Sequence, residues 1–392
     1  MHLPVLLCLV LSLGASLPGR AAPFVPSSDQ QVLERLPARA ADPRARDMVK
    51  LRQQLAARPQ DMGLAVQLAR RYYDEVAAEG DPRYIGYAQA ALAPWWSQVD
   101  APAEVRVMRA VLRQFSHEFE PAVADLQAVV QTAPDNAEAW SWLAAIAMVQ
   151  ARYDDARAAC TRLQALLPEL VGPACLASVQ ATTGHAGPAA ATLRQILEHN
   201  PGASGPEQLW VLTRLAEVEL RLGHDAAAEA AFKRALALDI TDGYLLAAYA
   251  DFLLDARRPA EVLSLLRGRE RSDLLLLRLA MAAKTTGAPE AAAWSGDLSA
   301  RFDAARLRGD TVHQKEEARF ALVVLGDVPR ALKLARLNFD VQREPVDARV
   351  LMECAIAARQ PGVAEPALKW LEASGIESPV LRALARQLKA GS

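Results

Sequence analysis

Apolar residues along most of this chain return at intervals of three and four, the mark of one buried face on an α-helix. Leu212, Leu215, Ala216 and Leu220 form one such stripe, Gly223 breaks it, and Ala227, Ala228, Ala231, Phe232 and Ala235 form a second. The pattern predicts two helices joined by a tight turn. Small residues let the helices approach, and large ones fill the holes between pairs. A capping helix is expected from Asp42-Pro43, an N-cap followed by proline at the first helical position, with Met48, Leu51 and Leu55 on one face and Pro59 as its stop. A closing helix is expected after Pro379, where Leu381, Leu384 and Leu388 share a face.

The two-helix unit recurs along the chain. Ala137–Pro168 carries Trp140, Leu143-Ala144, Ala156 and a closing Pro168. Moved back by 34 residues the frame meets Ala110, Phe119, Ala122 and Pro134, and moved forward by 33 it meets Leu176-Ala177, Gly184, Ala189, Leu193 and Pro201. Next come Leu215-Ala216, Gly223, Ala228 and Phe232, then weaker copies at Tyr249-Ala250, at Leu279-Ala280 with Gly287, at Leu322 with Gly326, and at Cys354-Ala355 with Gly362. Leu68-Ala69 and Tyr72 begin a lengthened first copy. These residues at this period resemble the tetratricopeptide repeat, with departures at Ala147, Ala151 and Cys160, where Tyr, Gly and an aromatic are usual. The resemblance implies an all-α fold, a right-handed α-solenoid of about nine helix-turn-helix repeats. The organisation read from the chain is a signal peptide over 1–21, a leader and capping helix over 22–61, and repeats over 62–201 and 202–392. Asn200–Pro206 is the clearest interruption, and it either bends the array or, the preferred reading, is a longer surface loop.

Composition agrees with stacked helices: 52% of residues are hydrophobic, only 6% are aromatic, and roughly a fifth are Ala. Charge is nearly balanced, 44 Lys+Arg against 46 Asp+Glu, so no bulk field draws nucleic acid and no nucleic-acid partner is expected. Leu3–Leu17 is an uncharged apolar run followed by Gly19 and Ala21, the order of a secretory signal cleaved after Ala21. It is short for a membrane span, and no transmembrane segment is expected once it is removed. The Ala/Leu/Arg-rich composition and the signal together indicate a periplasmic or otherwise exported bacterial protein. In such a compartment Cys160 and Cys175, 15 residues apart, form either a disulfide or two small buried thiols at helix contacts.

No catalytic or metal pattern emerges, so no enzyme activity and no cofactor are expected. His117-Glu118 begins like a zinc-protease helix, but Pro121 occupies the second ligand's place. The scattered histidines at 117, 185, 199, 224 and 313 read as solvated turn residues. The resemblance implies a concave face made by the first helices and holding a protein or peptide partner. The residues placed there are Arg70, Tyr73, Glu217, Arg221, Asp251, Asp255 and Lys284. The family's carboxylate clamp is absent, because its places hold Val66, Arg70, Ser141, Ala145, Thr213 and Glu217. The aromatic group Tyr72, Tyr73, Tyr84, Tyr87, Trp95 and Trp96 is either a recognition patch or the packing of the lengthened first copy. The function expected is a non-enzymatic binding scaffold in the bacterial envelope. The alternative is a structural part of an envelope export or assembly machine for polysaccharide, pilus or outer-membrane protein.

Overall fold

The computed structural model describes residues 43–390, so the signal segment and most of the leader lie outside the described residues. The chain divides into two units, 1–47 and 48–392, and the repeats belong to the second. After α1 (Pro43–Ala57) the helices come in nine pairs among the described residues. They are α2 (Met62–Glu79) with α3 (Arg83–Ala91) and a short α4 (Ala93–Trp96), α5 (Ala103–Phe115) with α6 (Phe119–Thr132), and α7 (Ala137–Val149) with α8 (Tyr153–Leu166). Next are α9 (Val171–Thr182) with α10 (Ala186–His199), α11 (Gly205–Leu222) with α12 (Asp225–Leu236), and α13 (Gly243–Asp255) with α14 (Pro259–Leu265). The last three are α15 (Asp273–Thr286) with α16 (Ala291–Leu307), α17 (Gln314–Arg319) with α18 (Val328–Val341), and α19 (Pro345–Ala357) with α20 (Glu365–Ser374). The helix α21 (Pro379–Ala390) follows them, and the described residues contain no strand.

Each pair turns on one residue in the left-handed region: Gly80, His117, Ala151, Gly184, Gly223, Arg257, Gly287, Gly326 and Arg359. Seven residues before that turn, in pairs two to seven, stands the alanine of the repeat, and Ala110, Ala144, Ala177, Ala216, Ala250 and Ala280 are all buried. The ninth pair corrects the sequence frame. Its left-handed residue is Arg359, three before the expected Gly362, so Leu351-Met352 and not Cys354-Ala355 hold the equivalent place. In the eighth pair α17 continues as a π-helical segment, Phe320–Leu325, whose extra residue sets the buried Ala318 eight positions before Gly326. Glu317-Ala318, and not Leu322, therefore hold the repeat's Leu-Ala place in this pair. The interruption before α11 leaves the core unbroken. One apolar cluster runs from Leu170 to Ala282, and Ser204 caps α11 in a reciprocal capping box with Glu207.

Two features brace the first half. The lengthened first pair is tied down by Arg109, which is buried and donates from Nη1 to the carbonyls of Trp95, Trp96 and Gln98 at 3.1, 2.7 and 3.0 Å. Its Nε and Nη2 grip Asp125 at 2.7 and 2.5 Å. Between the third and fourth pairs, Cys160 on α8 and Cys175 on α9 are joined as a disulfide with Cα atoms 5.4 Å apart, while Cys354 is a buried free thiol.

Contacts between residues far apart in sequence set the pitch of the array. Gly80 at the first turn packs on Ser272, the N-cap of α15. Val149, ending α7, accepts from the Arg343 N–H just before α19 at 2.8 Å. The Ala186 N–H opening α10 donates to Glu377 before α21 at 2.5 Å, and Trp370 on α20 donates to the Tyr153 hydroxyl at 2.9 Å. The first pair thus meets the seventh, the third meets the ninth and the fourth meets the closing helix. Six pairs complete one turn of the superhelix, and the second turn rests on the first.

Candidate functional site

The first helix of each pair faces the superhelix axis, and with six pairs per turn these helices crowd one another across two and three repeats. Arg70 on α2 reaches past α5 to grip Glu138 on α7 with both nitrogens, at 2.7 and 3.0 Å. Tyr73 packs edge-on against Trp142 of α7, 6.1 Å between ring centres, and burial pushes its hydroxyl up to about 12. These two residues bind the first three pairs together on the inner side. Lys284 donates to the carbonyls of Val323 and Val324, at 3.0 and 2.6 Å, at the end of the π-helical segment.

The remaining four of the proposed groove residues share one cavity. Glu217 and Arg221 on α11 and Asp251 and Asp255 on α13 line a space of about 500 Å³ whose far wall comes from α17, α19 and α21. Asp251 is held by two forks, Arg278 of α15 at 3.1 and 2.6 Å and Arg319 of α17 at 3.0 and 2.9 Å. Burial alone would raise this carboxyl, but the two guanidiniums hold it well below the usual carboxylate range. Asp255 meets Arg349 of α19 through both oxygens at 2.6 and 2.7 Å. Glu217 is paired with Arg214 at 2.9 Å and accepts from the Tyr244 hydroxyl. Arg221 has one contact, from Nη1 to the Thr182 hydroxyl at 3.1 Å.

Sequence reasoning missed Tyr244 on α13 and the whole of the far wall. Tyr244, Lys315, Arg319 and Arg349 take part in the site, and Glu344 stands close enough for its charge to act on Tyr244. Tyr244 is 46% exposed, yet burial is the main cause that raises its hydroxyl pKa, so the ring faces the lumen of the superhelix rather than open solvent. Arg214 lies over its face at 4.8 Å. The Glu344 carboxyl is pushed up by burial and by Asp347, while Lys315 stays cationic because Glu316 and Asp347 outweigh its burial. These residues follow the repeat frame, but their meeting with α11 and α13 depends on the pitch.

Two other groups read from the sequence lie elsewhere, and the first follows the packing reading given for it. The aromatics of the first pair are mostly packing: Tyr72 and Trp95 are buried, and Tyr72 stacks on Tyr84 and meets Tyr87 at a tilt, with ring centres 5.8 and 5.7 Å apart. His117 is not a solvated turn residue. Its ring stacks on Phe119 at 5.6 Å, and burial, with Lys315 adding to it, pushes the imidazole down to about 4. Among the described residues no group of three or more His, Cys, Asp or Glu side chains is placed to hold a metal ion.

A family model described as tetratricopeptide repeat matches residues 116–170. No curated protein matches the sequence. Among solved structures, the chain is similar to a tetratricopeptide repeat protein from Parabacteroides merdae, at 14% identity over 59% of this chain and 84% of that one, with a TM-score of 0.43. It is similar to a chain of the APC/C hetero-tetramer Cut9–Hcn1, at 13% identity over 89% and 74%, with a TM-score of 0.46. Yeast Tom70 is also similar, at 9% identity over 90% and 85%, with a TM-score of 0.42.

Proposed function

We propose that this chain, whose residues 116–170 match the tetratricopeptide-repeat model, is an exported, non-enzymatic scaffold whose inner face binds a protein or peptide partner. The observation that carries this reading is the cavity between α11, α13, α19 and α21, where four of the proposed groove residues converge with Tyr244 and apolar walls from Leu220, Phe252, Val346 and Val380. Its volume falls in the range of roughly 300–1,000 Å³ that suits a bound side-chain cluster or small ligand. Export is supported by the apolar run of residues 3–17 and by the Cys160–Cys175 disulfide, a bond that persists in oxidising compartments. No helix among the described residues is long and apolar enough to cross a membrane.

Affinity capture from envelope extract tests the reading. Wild-type protein retains a partner that Val346→Arg, which fills the cavity, loses and that Arg162→Glu, on an exposed face of α8, keeps. Equal capture by all three removes the inner face as the binding site. Fractionation tests export: the mature chain begins at Ala22 in the envelope fraction, and a chain that keeps Met1 in the cytosol contradicts it.

A further inference from the structure

Every cation lining the cavity except one is spent on a carboxylate of the same chain. Arg278 and Arg319 share Asp251, Arg349 takes Asp255 and Glu353, and Lys315 stands 3.8 Å from Glu316 and 3.7 Å from Asp347. Arg221 is the exception among the described residues. A guanidinium carries five N–H donors, and Arg221 uses one of them, on Thr182. The neighbouring carboxylate that would naturally serve it, Glu217, is taken by Arg214 and by the Tyr244 hydroxyl. The guanidinium is also half-buried. Burial lowers the pKa of Arg221, with Arg214 adding to the lowering, and Glu217 offsets it only in part.

We propose that Arg221 receives an acidic side chain, Asp or Glu, of an extended peptide whose flanking apolar side chains lie against Leu220, Val346 and Val380. The proposal rests on the scaffold reading above and names the chemistry of its partner. Leu220 precedes Arg221 on α11, while Val346 and Val380 stand on α19 and α21 across the cavity, so an apolar–acidic–apolar segment is complementary to the cation and its surroundings. A planar guanidinium with free donors binds a carboxylate in a two-pronged fork. At this half-buried position that fork gives the guanidinium the carboxylate partner it lacks within the chain. A basic side chain at the same place meets Arg221 as a like charge, and a neutral amide leaves the charge uncompensated.

The test uses the full mature chain and fluorescein-labelled, N-acylated and C-amidated peptides with the core Leu-Val-Glu-Leu-Val, so that the only carboxylate of the segment is the side chain. Peptides with Gln or Lys in the central place serve as comparisons in fluorescence anisotropy. The Glu peptide is expected to bind at least about tenfold more tightly than the Gln peptide, and Lys more weakly than either. In Arg221→Gln the preference for Glu over Gln falls below about twofold, and Arg221→Lys restores part of it. The comparison of peptides on wild-type protein does not depend on any variant folding. Equal binding of the Glu and Gln peptides, preference for Lys, a preference that survives in Arg221→Gln, or no binding of any of the three at millimolar concentration would overturn the proposal. Failure here with Val346→Arg still losing its captured partner leaves the scaffold reading standing and removes only the acidic specificity.

Discussion

Four of the nine turns place a residue other than glycine in the left-handed region, with φ of 59° at His117, 58° at Ala151, 58° at Arg257 and 54° at Arg359. A Cβ in that region costs about 1–2 kcal/mol, of which glycine recovers most while losing some through its freer unfolded chain. Ala151→Gly is therefore expected to stabilise the protein by about 0.5–1 kcal/mol, read as a higher urea midpoint. Ala151 was legible as a substitute for the usual glycine because its repeat is the best formed. Arg359 was not, because a glycine three residues later offered a false turn. His117 adds a dependence on pH. Its folded value of about 4 lies below the ordinary 6.5, so between these values the unfolded chain binds the proton and the folded one does not. Stability then falls as pH drops from 6.5 towards 4, by about 2 kcal/mol between pH 7 and pH 5. Urea midpoints for wild type and His117→Asn check this, since the variant, whose residue tolerates the left-handed turn, flattens the slope over that interval.

At the scale of elements, the helix pairs were readable because small and large apolar residues recur at a fixed period, and the bracing between them was not. Arg109 sits among Val105, Met108 and Leu112 in the buried stripe of α5, where a lone charge in sequence reads as a solvated position. Its partners arrive from another helix and from three carbonyls of the irregular first pair. Arg109→Ala leaves the buried Asp125 with Arg113 alone and three carbonyls without this donor, and is expected to destabilise by about 3–5 kcal/mol in equilibrium unfolding. The π-helical segment was equally invisible, because one inserted residue looks like a weak copy of the repeat rather than a wider turn. The Cys160–Cys175 pair was legible as a possibility from the expected oxidising compartment, and the packing of α8 on α9 brings the two together. Reduction is expected to lower stability by about 3 kcal/mol and to add two protons of mass on the Cys160 and Cys175 peptides.

Over the whole repeat array, the sequence carried the number of helix pairs but not the pitch. Six pairs per turn result from small rotations summed over some 190 residues, from Gly80 to Ser272 and from Ala186 to Glu377, and no local pattern records such a sum. The pitch decides what the inner face becomes, for it brings α17, α19 and α21 against α11 and α13 and turns the expected open groove into a lined cavity. The seam between turns is testable with two alanines. Gly80 and Gly309 both have positive φ, but a Cβ at Gly80 meets Ser272 of the next turn and one at Gly309 meets nothing. Gly80→Ala is expected to lose at least about 1 kcal/mol more than Gly309→Ala in thermal or urea unfolding.

The central claim is that partners enter this cavity, and site-specific photo-crosslinking reads it directly. A benzophenone side chain replaces Tyr244 in the lumen in one protein and Arg162 on the exposed face of α8 in another, and both are irradiated in envelope extract. A discrete cross-linked partner from position 244 and none from position 162 is the predicted result. Cross-linking from 162 with none from 244 would contradict the account.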